Sequence, residues 1–309
     1  MSNFFDSALT LYRRTFKRVR PIHAGIHWLL TRTALPLLER VKRLETMPDD
    51  PFWFRLELLT GQHEKETLVQ VERLVKPGMV VLDIGAHIGY YARRFSAQVG
   101  DGGRVICFEP HPRTAQTLTR NIAGAGNVTV VSVAVSDSEG TAELYDYLMM
   151  SASGSLHYDE SLRDLQRSGA GAGDIAPRLA RDMPVEKFTV RTATVDRCLE
   201  ELGIERVNVV KMDIEGAEMS ALRGMRETIQ RSPGLALIME YNPQALSASG
   251  LDPVAAIDDV LAFGFQRVSI IEKDGTLTAV TDAGDLLRTR TAALMGNMAV
   301  VNLLFESSE

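Results

Sequence analysis

The chain has 309 residues, of which 45% are hydrophobic and 24% are charged, and its formal net charge is −6. This length fits one large α/β domain with an extension, or two small domains. The acidic balance argues against a general nucleic-acid binder, and no apolar run approaches the roughly 20 residues that a membrane-spanning helix needs.

The N-terminal segment differs from the rest of the chain in charge. The first 45 residues hold nine Lys/Arg against three acids, a net charge of +6, so the remainder carries −12. Apolar residues from Leu9 to Val19 have helical spacing, and Pro21 and Pro36 are predicted to separate two or three short helices. Residues 1–60 are therefore expected to form a basic helical extension. Its basic residues, 13–43, favour either contact with an anionic membrane or acidic partner, or packing on the body or on a second subunit of a homodimer.

The cysteines and the N-terminal sequence indicate the cellular compartment of the protein. Cys107 and Cys198 both lie in apolar runs and are expected to be buried thiols, which suits a reducing environment. The basic start is followed by only a short apolar patch at 27–30, which does not match a signal peptide. We expect a cytoplasmic protein, with peripheral membrane contact left open.

From residue 64 onward, strand-like and helical segments alternate. Strands are predicted at 79–84, 104–108, 128–135, 207–212 and 235–240, and helices at 64–75, 91–99, 114–123, 217–231 and 254–263. Two final strands, 265–272 and 298–305, suggest a terminal antiparallel strand inserted beside strand 6. The order predicts a largely parallel sheet with helices on both faces, in one domain over 61–309.

A long stretch interrupts this alternation at 146–188. It contains the runs SASGS and SGAGAG, and the second is too small and flexible to form core. Long excursions of this kind in a compact domain are usually lids or binding loops. We expect this insertion to close over a substrate.

Acidic residues stand at or just after the predicted strand ends. Doubly wound sheets bind ligands at the carboxyl ends of their strands, so these side chains are expected to share one cleft. The acids are Asp83, Glu109, Asp137, Asp213 and Glu240.

The loop after the first strand favours one type of cofactor. Its glycines are spaced Gly85-x-x-x-Gly89 with His87 between them, whereas dinucleotide binders usually show G-x-G-x-x-G facing a pyrophosphate. Asp83 suits a cationic sulfonium, and Glu109 is placed to accept hydrogen bonds from both ribose hydroxyls. S-adenosylmethionine is therefore favoured over NAD. The alternatives are an NAD-linked oxidoreductase and a non-catalytic cofactor-binding module that docks through the basic arm.

The fourth strand leads into VVKMDIEGAE. Because successive side chains of a strand point to opposite faces of the sheet, Lys211 and Asp213 are expected on the same face. A buried lysine needs a charged partner, which Asp213 or Glu240 could supply. Glu215 and Glu218 are expected to share one side of the next helix start, where acids also favour the helix dipole. A divalent metal on Asp213, Glu215 and Glu240 stays open, because the spacing matches no defined metal motif.

The motifs in their order resemble the FkbM family of S-adenosylmethionine-dependent methyltransferases. They are GQHEKET, VKPGMVVLDIGAHIGYYA, VICFEPHP, VSVAVSDSEGTAELY, SASGSL, TATVDRCL and VVKMDIEGAE, and they run from about residue 61 to 242. The resemblance implies a class I methyltransferase, Rossmann-like seven-stranded sheet with strand 7 antiparallel. It also implies O-methylation of a hydroxyl on a glycan or secondary metabolite. The family usually has Asn where His87 stands.

The resemblance also implies roles for individual residues. Those expected at the cofactor are Asp83, Gly85, Ala86, His87, Gly89, Glu109, Pro110, Ala134, Val135, Asp137 and Asp213. Those expected nearest the acceptor are Asp213, Lys211, Glu240 and Glu215. Our hypothesis gives Asp213 the base or orienting role, with Lys211 and Glu240 in support.

Overall fold

The computed structural model describes residues 20–148, 151–152, 154–158, 160, 163–164, 184–282, 284 and 300–308, with side chains from Leu29 onward. The rest of the basic arm, with the apolar residues from Leu9 to Val19, and the SGAGAG run lie outside the described residues. Within the described part of the chain, every helix is too short or too polar to cross a bilayer.

Three helices precede the sheet: α1 (Arg20–Lys42), α2 (Phe52–Thr60) and α3 (Lys65–Leu74). The prediction that Pro36 separates short helices is wrong, because α1 runs through it. The segment before Arg20 lies outside the described residues, so a helix boundary at Pro21 stays a prediction. Pro21 lies in the first turn, where its missing N–H costs nothing. Around Pro36, packing outweighs the lost hydrogen bond: Leu35 is fully buried, and Glu39 pairs with Arg55 of α2 at 3.0 Å.

The central elements alternate as expected. They are β1 (Val80–Ile84), α4 (Ala92–Val99), β2 (Arg104–Phe108), α5 (Pro112–Asn121), β3 (Val128–Val131), β4 (Ala134–Val135), β5 (Gly140–Asp146), β6 (Glu186–Ala193), α6 (Val195–Glu201), β7 (Val209–Met212), α7 (Glu218–Arg223), α8 (Arg226–Arg231), β8 (Ala236–Tyr241), α9 (Pro243–Ala248), α10 (Pro253–Ala262), β9 (Arg267–Ile271), β10 (Leu277–Ala279) and β11 (Val301–Glu306).

Among the described residues, the main sheet has eight strands in the order β10-β9-β11-β8-β7-β1-β2-β3. The strands from β8 to β3 are parallel, and β11 lies antiparallel between β8 and β9. This confirms the predicted class I arrangement, including the inserted antiparallel strand. The short edge strand β10 is an addition to the seven that we predicted.

Two predicted elements are divided. The strand predicted at 128–135 splits, because β4 leaves the main sheet and pairs with β6 in a second sheet of order β4-β6-β5. The helix predicted at 217–231 breaks into α7 and α8 at Gly224. A Cβ there would lie 2.0 Å from the backbone oxygen of Ser136, so the close approach of that loop requires glycine.

The two faces of the sheet bury separate hydrophobic clusters. Leu82 of β1 points into the cluster that contains side chains of α6, α7 and α10, whereas Val81 points into the cluster with α3, α4 and α5. The second cluster also includes Leu35 and Phe52, so α1 and α2 share the core of the sheet. Both cysteines are buried free thiols, as predicted.

Candidate active site

A partly open cavity lies at the carboxyl ends of β1, β2 and β7. Strand topology explains its position, since the parallel strand ends meet beside the switch in strand order between β1 and β7. Eight of the predicted site residues line it: Gly85, His87, Glu109, Pro110, Ala134, Val135, Asp213 and Glu215.

The other predicted residues lie around or behind the cavity. Asp83 is fully buried on β1, in register with Lys211 of β7, and Ala86 is also buried. Gly89 approaches Leu118 of α5. Asp137 does not line the cavity, and its carboxylate pairs with Arg223 at 3.0 Å.

The backbone conformation and close packing of the loop after β1 require a glycine at position 85. Gly85 has a φ of +80°, and a Cβ at this position would lie 1.9 Å from the backbone oxygen of Asp213. The loops after β1 and β7 therefore touch, and any side chain at 85 would separate them.

Glu109 is held by backbone donors of two loops. The N–H of His87 donates to its Oε2 and the N–H of His111 to its Oε1, each at 2.9 Å. Burial raises the pKa of Glu109 to about 7, although both N–H donors act against the rise. Each oxygen retains a lone pair, so the carboxylate can accept two further hydrogen bonds from a ligand, as a ribose diol would provide.

The ring of His87 joins a chain of hydrogen bonds that sequence reasoning missed. Its Nε2 lies 2.5 Å from Oγ of Ser151, and the N–H and Oγ–H of Ser151 both donate to Asp50 at 2.7 Å. Burial and the nearby His63 lower the pKa of His87 to about 3, so the imidazole is neutral. The SASGS run was the sequence signal for Ser151, whereas nothing marked Asp50.

Lys211 and Asp213 form the charged floor of the cavity. Lys211 is 3% exposed, and its Nζ lies 2.7 Å from Oδ2 of Asp213. Burial acts to raise the pKa of Asp213, but the ammonium of Lys211 holds it below its ordinary value. Burial likewise opposes the charge of Lys211, yet the surrounding carboxylates raise its pKa. The two therefore stay ionised as a pair.

We predicted that Glu215 and Glu218 share one side of a helix start, and this prediction is wrong. Glu215 precedes α7 in a loop, has a φ of +50° and accepts a hydrogen bond from Nδ2 of Asn242 at 3.1 Å. Burial and the charge of Asp213 raise its pKa to about 8. Glu218 instead stabilises the loop, because its Oε1 accepts the N–H groups of Ile214 and Gly216.

Glu64 is a further acidic residue at this end of the site. Its Oε2 accepts a hydrogen bond from the hydroxyl of Tyr91 at 2.7 Å, and its Oε1 accepts one from Asn302 of β11 at 3.1 Å. Carboxylate oxygens of Glu64, Asp213 and Glu240 lie within 4.8 Å of one another. The predicted metal set contained Glu215 in place of Glu64, which sequence reasoning had treated only as a helix start.

The cavity fits an adenosine cofactor that carries a positive charge. Phe108, Val133 and Leu144 supply apolar wall for a base, Glu109 supplies acceptors for a ribose, and the ionised Asp213 supplies negative charge. S-adenosylmethionine combines these three parts, whereas a pyrophosphate would face carboxylates.

Known proteins with similar sequences are named as methyltransferases. The family model described as methyltransferase FkbM domain matches residues 83–267. The chain is similar to the 2-O-methyltransferase NoeI of Sinorhizobium fredii, with 30% identity over 198 residues that cover 62% of this chain and 74% of NoeI. It is also similar to the hexuronic acid methyltransferase AglP of Haloferax volcanii, with 26% identity over 66% of this chain and 75% of AglP. A solved structure of a SAM-dependent methyltransferase from Aquifex aeolicus is 14% identical, covers 88% of this chain and 97% of its own, and has a TM-score of 0.41.

Proposed function

Because this chain belongs to the FkbM methyltransferase family, we propose that it transfers the methyl group of S-adenosylmethionine to a hydroxyl of a sugar unit, in a glycan or a glycosylated metabolite. The observation that carries this proposal is the arrangement of the cavity. Glu109 is held by two backbone N–H groups on one side, and Asp213 and Glu215 stand on the other. An NAD-linked oxidoreductase, the earlier alternative, is not favoured by the family match.

The proposed acceptor class has two supports. NoeI is named as a 2-O-methyltransferase and AglP as a hexuronic acid methyltransferase, so one name gives an oxygen as the methylated atom and the other gives a sugar acid as the substrate. The acceptor end of the cavity carries carboxylates, which accept hydrogen bonds from hydroxyl groups. Neighbouring hydroxyls of a sugar ring would bind these oxygens and orient the one that reacts.

The protein's part in the reaction is alignment and proton removal. S-adenosylmethionine supplies an electrophilic methyl carbon on a sulfonium. The acceptor oxygen forms the new C–O bond as the C–S bond breaks, and S-adenosylhomocysteine leaves. The charge of Asp213 is neutralised by Lys211, so we assign it the orienting role. Glu215 lies on the same wall, and because its pKa is raised to about 8, its ionised form is the stronger base, so we assign it the acceptance of the hydroxyl proton.

Labelled methyl transfer tests the proposal. The full chain is incubated with methyl-labelled S-adenosylmethionine and a panel of uronic acids, deoxysugars and aminosugars, free and glycosidically linked. We expect label in at least one sugar. Asp213→Asn and Glu215→Gln should each lower kcat, measured at saturating cofactor, by about 100-fold or more. Glu227→Gln, an exposed carboxylate on α8, is the matched control and should retain full activity. Cofactor binding without transfer to any sugar would contradict the proposal.

Docking of the N-terminal extension to a membrane or a second subunit stays a prediction. The outer face of α1 carries Leu37 and Val41, which are 62% and 68% exposed, close to Arg40 and Lys42. Mixed apolar and basic character of this kind suits an anionic lipid surface. Sedimentation with vesicles containing anionic lipid, against neutral vesicles, tests the membrane hypothesis, and light scattering tests the dimer.

A further inference from the structure

Beneath the acceptor end of the cavity, three carboxylates converge with too few donors. Glu64, Asp213 and Glu240 come from the loop before α3 and from the ends of β7 and β8, and their oxygens lie within 4.8 Å of one another. Glu240 is only 8% exposed, and its Oε2 has no hydrogen-bond partner among the described residues. A buried acceptor without a donor is unfavourable, so a further positive group would stabilise the cluster.

The ionised cluster carries more negative charge than the neighbouring lysine neutralises. Burial and the neighbouring carboxylates raise the pKa of Glu240, so its ionised form needs a further cation nearby. With all three carboxylates ionised, they carry −3 and the adjacent Lys211 carries +1, which leaves −2 for a bound cation to neutralise. Lys211 contacts only Oδ2 of Asp213 among these oxygens in the described structure, at 2.7 Å. One divalent cation would neutralise the remainder.

Neighbouring residues orient the carboxylates of the cluster, and the cavity gives access to them. Tyr91 and Asn302 donate to the two oxygens of Glu64 and so set the orientation of its carboxylate. The side chain of Asp213 is 26% exposed and lines the cavity, which leaves a path for an ion with some of its water. Hard cations such as Mg²⁺ and Mn²⁺ bind carboxylate oxygens and keep several waters.

We propose that Glu64, Asp213 and Glu240 form a binding site for one hard divalent cation, Mg²⁺ or Mn²⁺. The ion would share Asp213 with the cavity wall, so an acceptor hydroxyl could replace one of its waters and be polarised there. The binding site stands on the geometry alone, whereas this use of the ion rests on the proposed function.

Binding of Mn²⁺ to the full chain, freed of metal with a chelator, tests the site. The free-ion electron paramagnetic resonance signal is followed as protein is added, and Mg²⁺ is then titrated in competition. We expect one Mn²⁺ per chain. Glu64→Gln and Glu240→Gln should each weaken binding at least about tenfold. Glu227→Gln, whose carboxylate is exposed, should bind as the parent does.

Two results would overturn the proposal: no stoichiometric binding at millimolar Mn²⁺, or equal binding by the parent and both glutamine variants. Far-UV circular dichroism checks that each variant is folded, and Glu64→Gln provides the test if Glu240→Gln is not. Methyl transfer is assayed separately with and without chelator. Transfer in a protein that binds no Mn²⁺ would refute the cation site alone, and Mn²⁺ binding without transfer to any sugar would refute only the proposed function.

Discussion

The two ends of the cavity are held in different ways. At the cofactor end, the backbone positions Glu109, because two loop N–H groups bind its oxygens and Gly85 lets the loops touch. At the acceptor end, side chains position one another, and they come from three separate segments that hold Lys211 with Asp213, Glu64, and Asn302. Glu109 and its two donors all lie within residues 87–111, whereas the acceptor end exists only when distant parts of the chain are packed together.

The largest effect is expected when the acceptor end loses its lysine. Lys211→Met leaves the buried carboxylates without their cation, and we expect the free energy of unfolding to fall by about 3–5 kcal/mol. Urea denaturation in the presence of a chelator measures this. The double variant Lys211→Met/Asp213→Asn should recover part of the loss, and a double variant as unstable as the single one would contradict the assigned ion pair.

At the cofactor end, Gly85→Ala should cost about 3 kcal/mol of unfolding free energy, because the added Cβ meets the backbone of Asp213 at a positive φ. Gly124→Ala is the control: its φ of +93° is also positive, but nothing lies within 4 Å of the added Cβ. It should cost about 1 kcal/mol. Equal losses in urea denaturation would show that the contact between the loops does not matter.

Removing the charge of Glu109 should affect binding more than folding. Glu109→Gln presents one acceptor oxygen in place of two, so we expect affinity for S-adenosylmethionine to fall about 10- to 100-fold by calorimetry. Asp137→Asn serves as comparison, since Asp137 lies outside the cavity lining. An equal loss in Asp137→Asn would restore our sequence-based assignment of Asp137 to the cofactor.

The pH dependence of cofactor affinity should follow the same carboxyl group. Burial raises the pKa of Glu109 to about 7, so in the free protein it is protonated below that pH and ionised above it. The ionised form accepts both ribose hydroxyls, so affinity should rise as pH increases from about 6 to 8. Without cofactor, the folded state holds this proton and the unfolded state does not, so the contribution of Glu109 to stability should decrease as pH rises from about 4.5 to about 7. Glu109→Gln should show neither contribution.

The smallest effect is expected in the insertion. Ser151→Ala removes the hydroxyl between Asp50 and His87, and we expect about 1 kcal/mol less stability with little change in cofactor affinity. Limited proteolysis within 151–176 should become faster in this variant. In the parent, cofactor with acceptor should slow the cleavage, and an unchanged rate would contradict the predicted lid.

Much of the fold could be predicted because it depends on local patterns. Alternating apolar strands and helices indicated the parallel sheet, and the loop at 83–89 indicated the cofactor end. Glu64 could not be assigned this way, because its role depends on a contact with Asn302, 238 residues away. The break at Gly224 and the continuity of α1 through Pro36 were also missed, since packing against other segments decides both.

The position of β11 has a consequence for the order in which the protein matures. Domains emerge from the ribosome from the N-terminus onward, so β1, β2 and the loop that holds Glu109 are available long before Val301–Glu306. Asn302, which orients Glu64, arrives only when that strand inserts between β8 and β9. A nascent chain would therefore acquire its nucleotide end first and complete its acceptor end last.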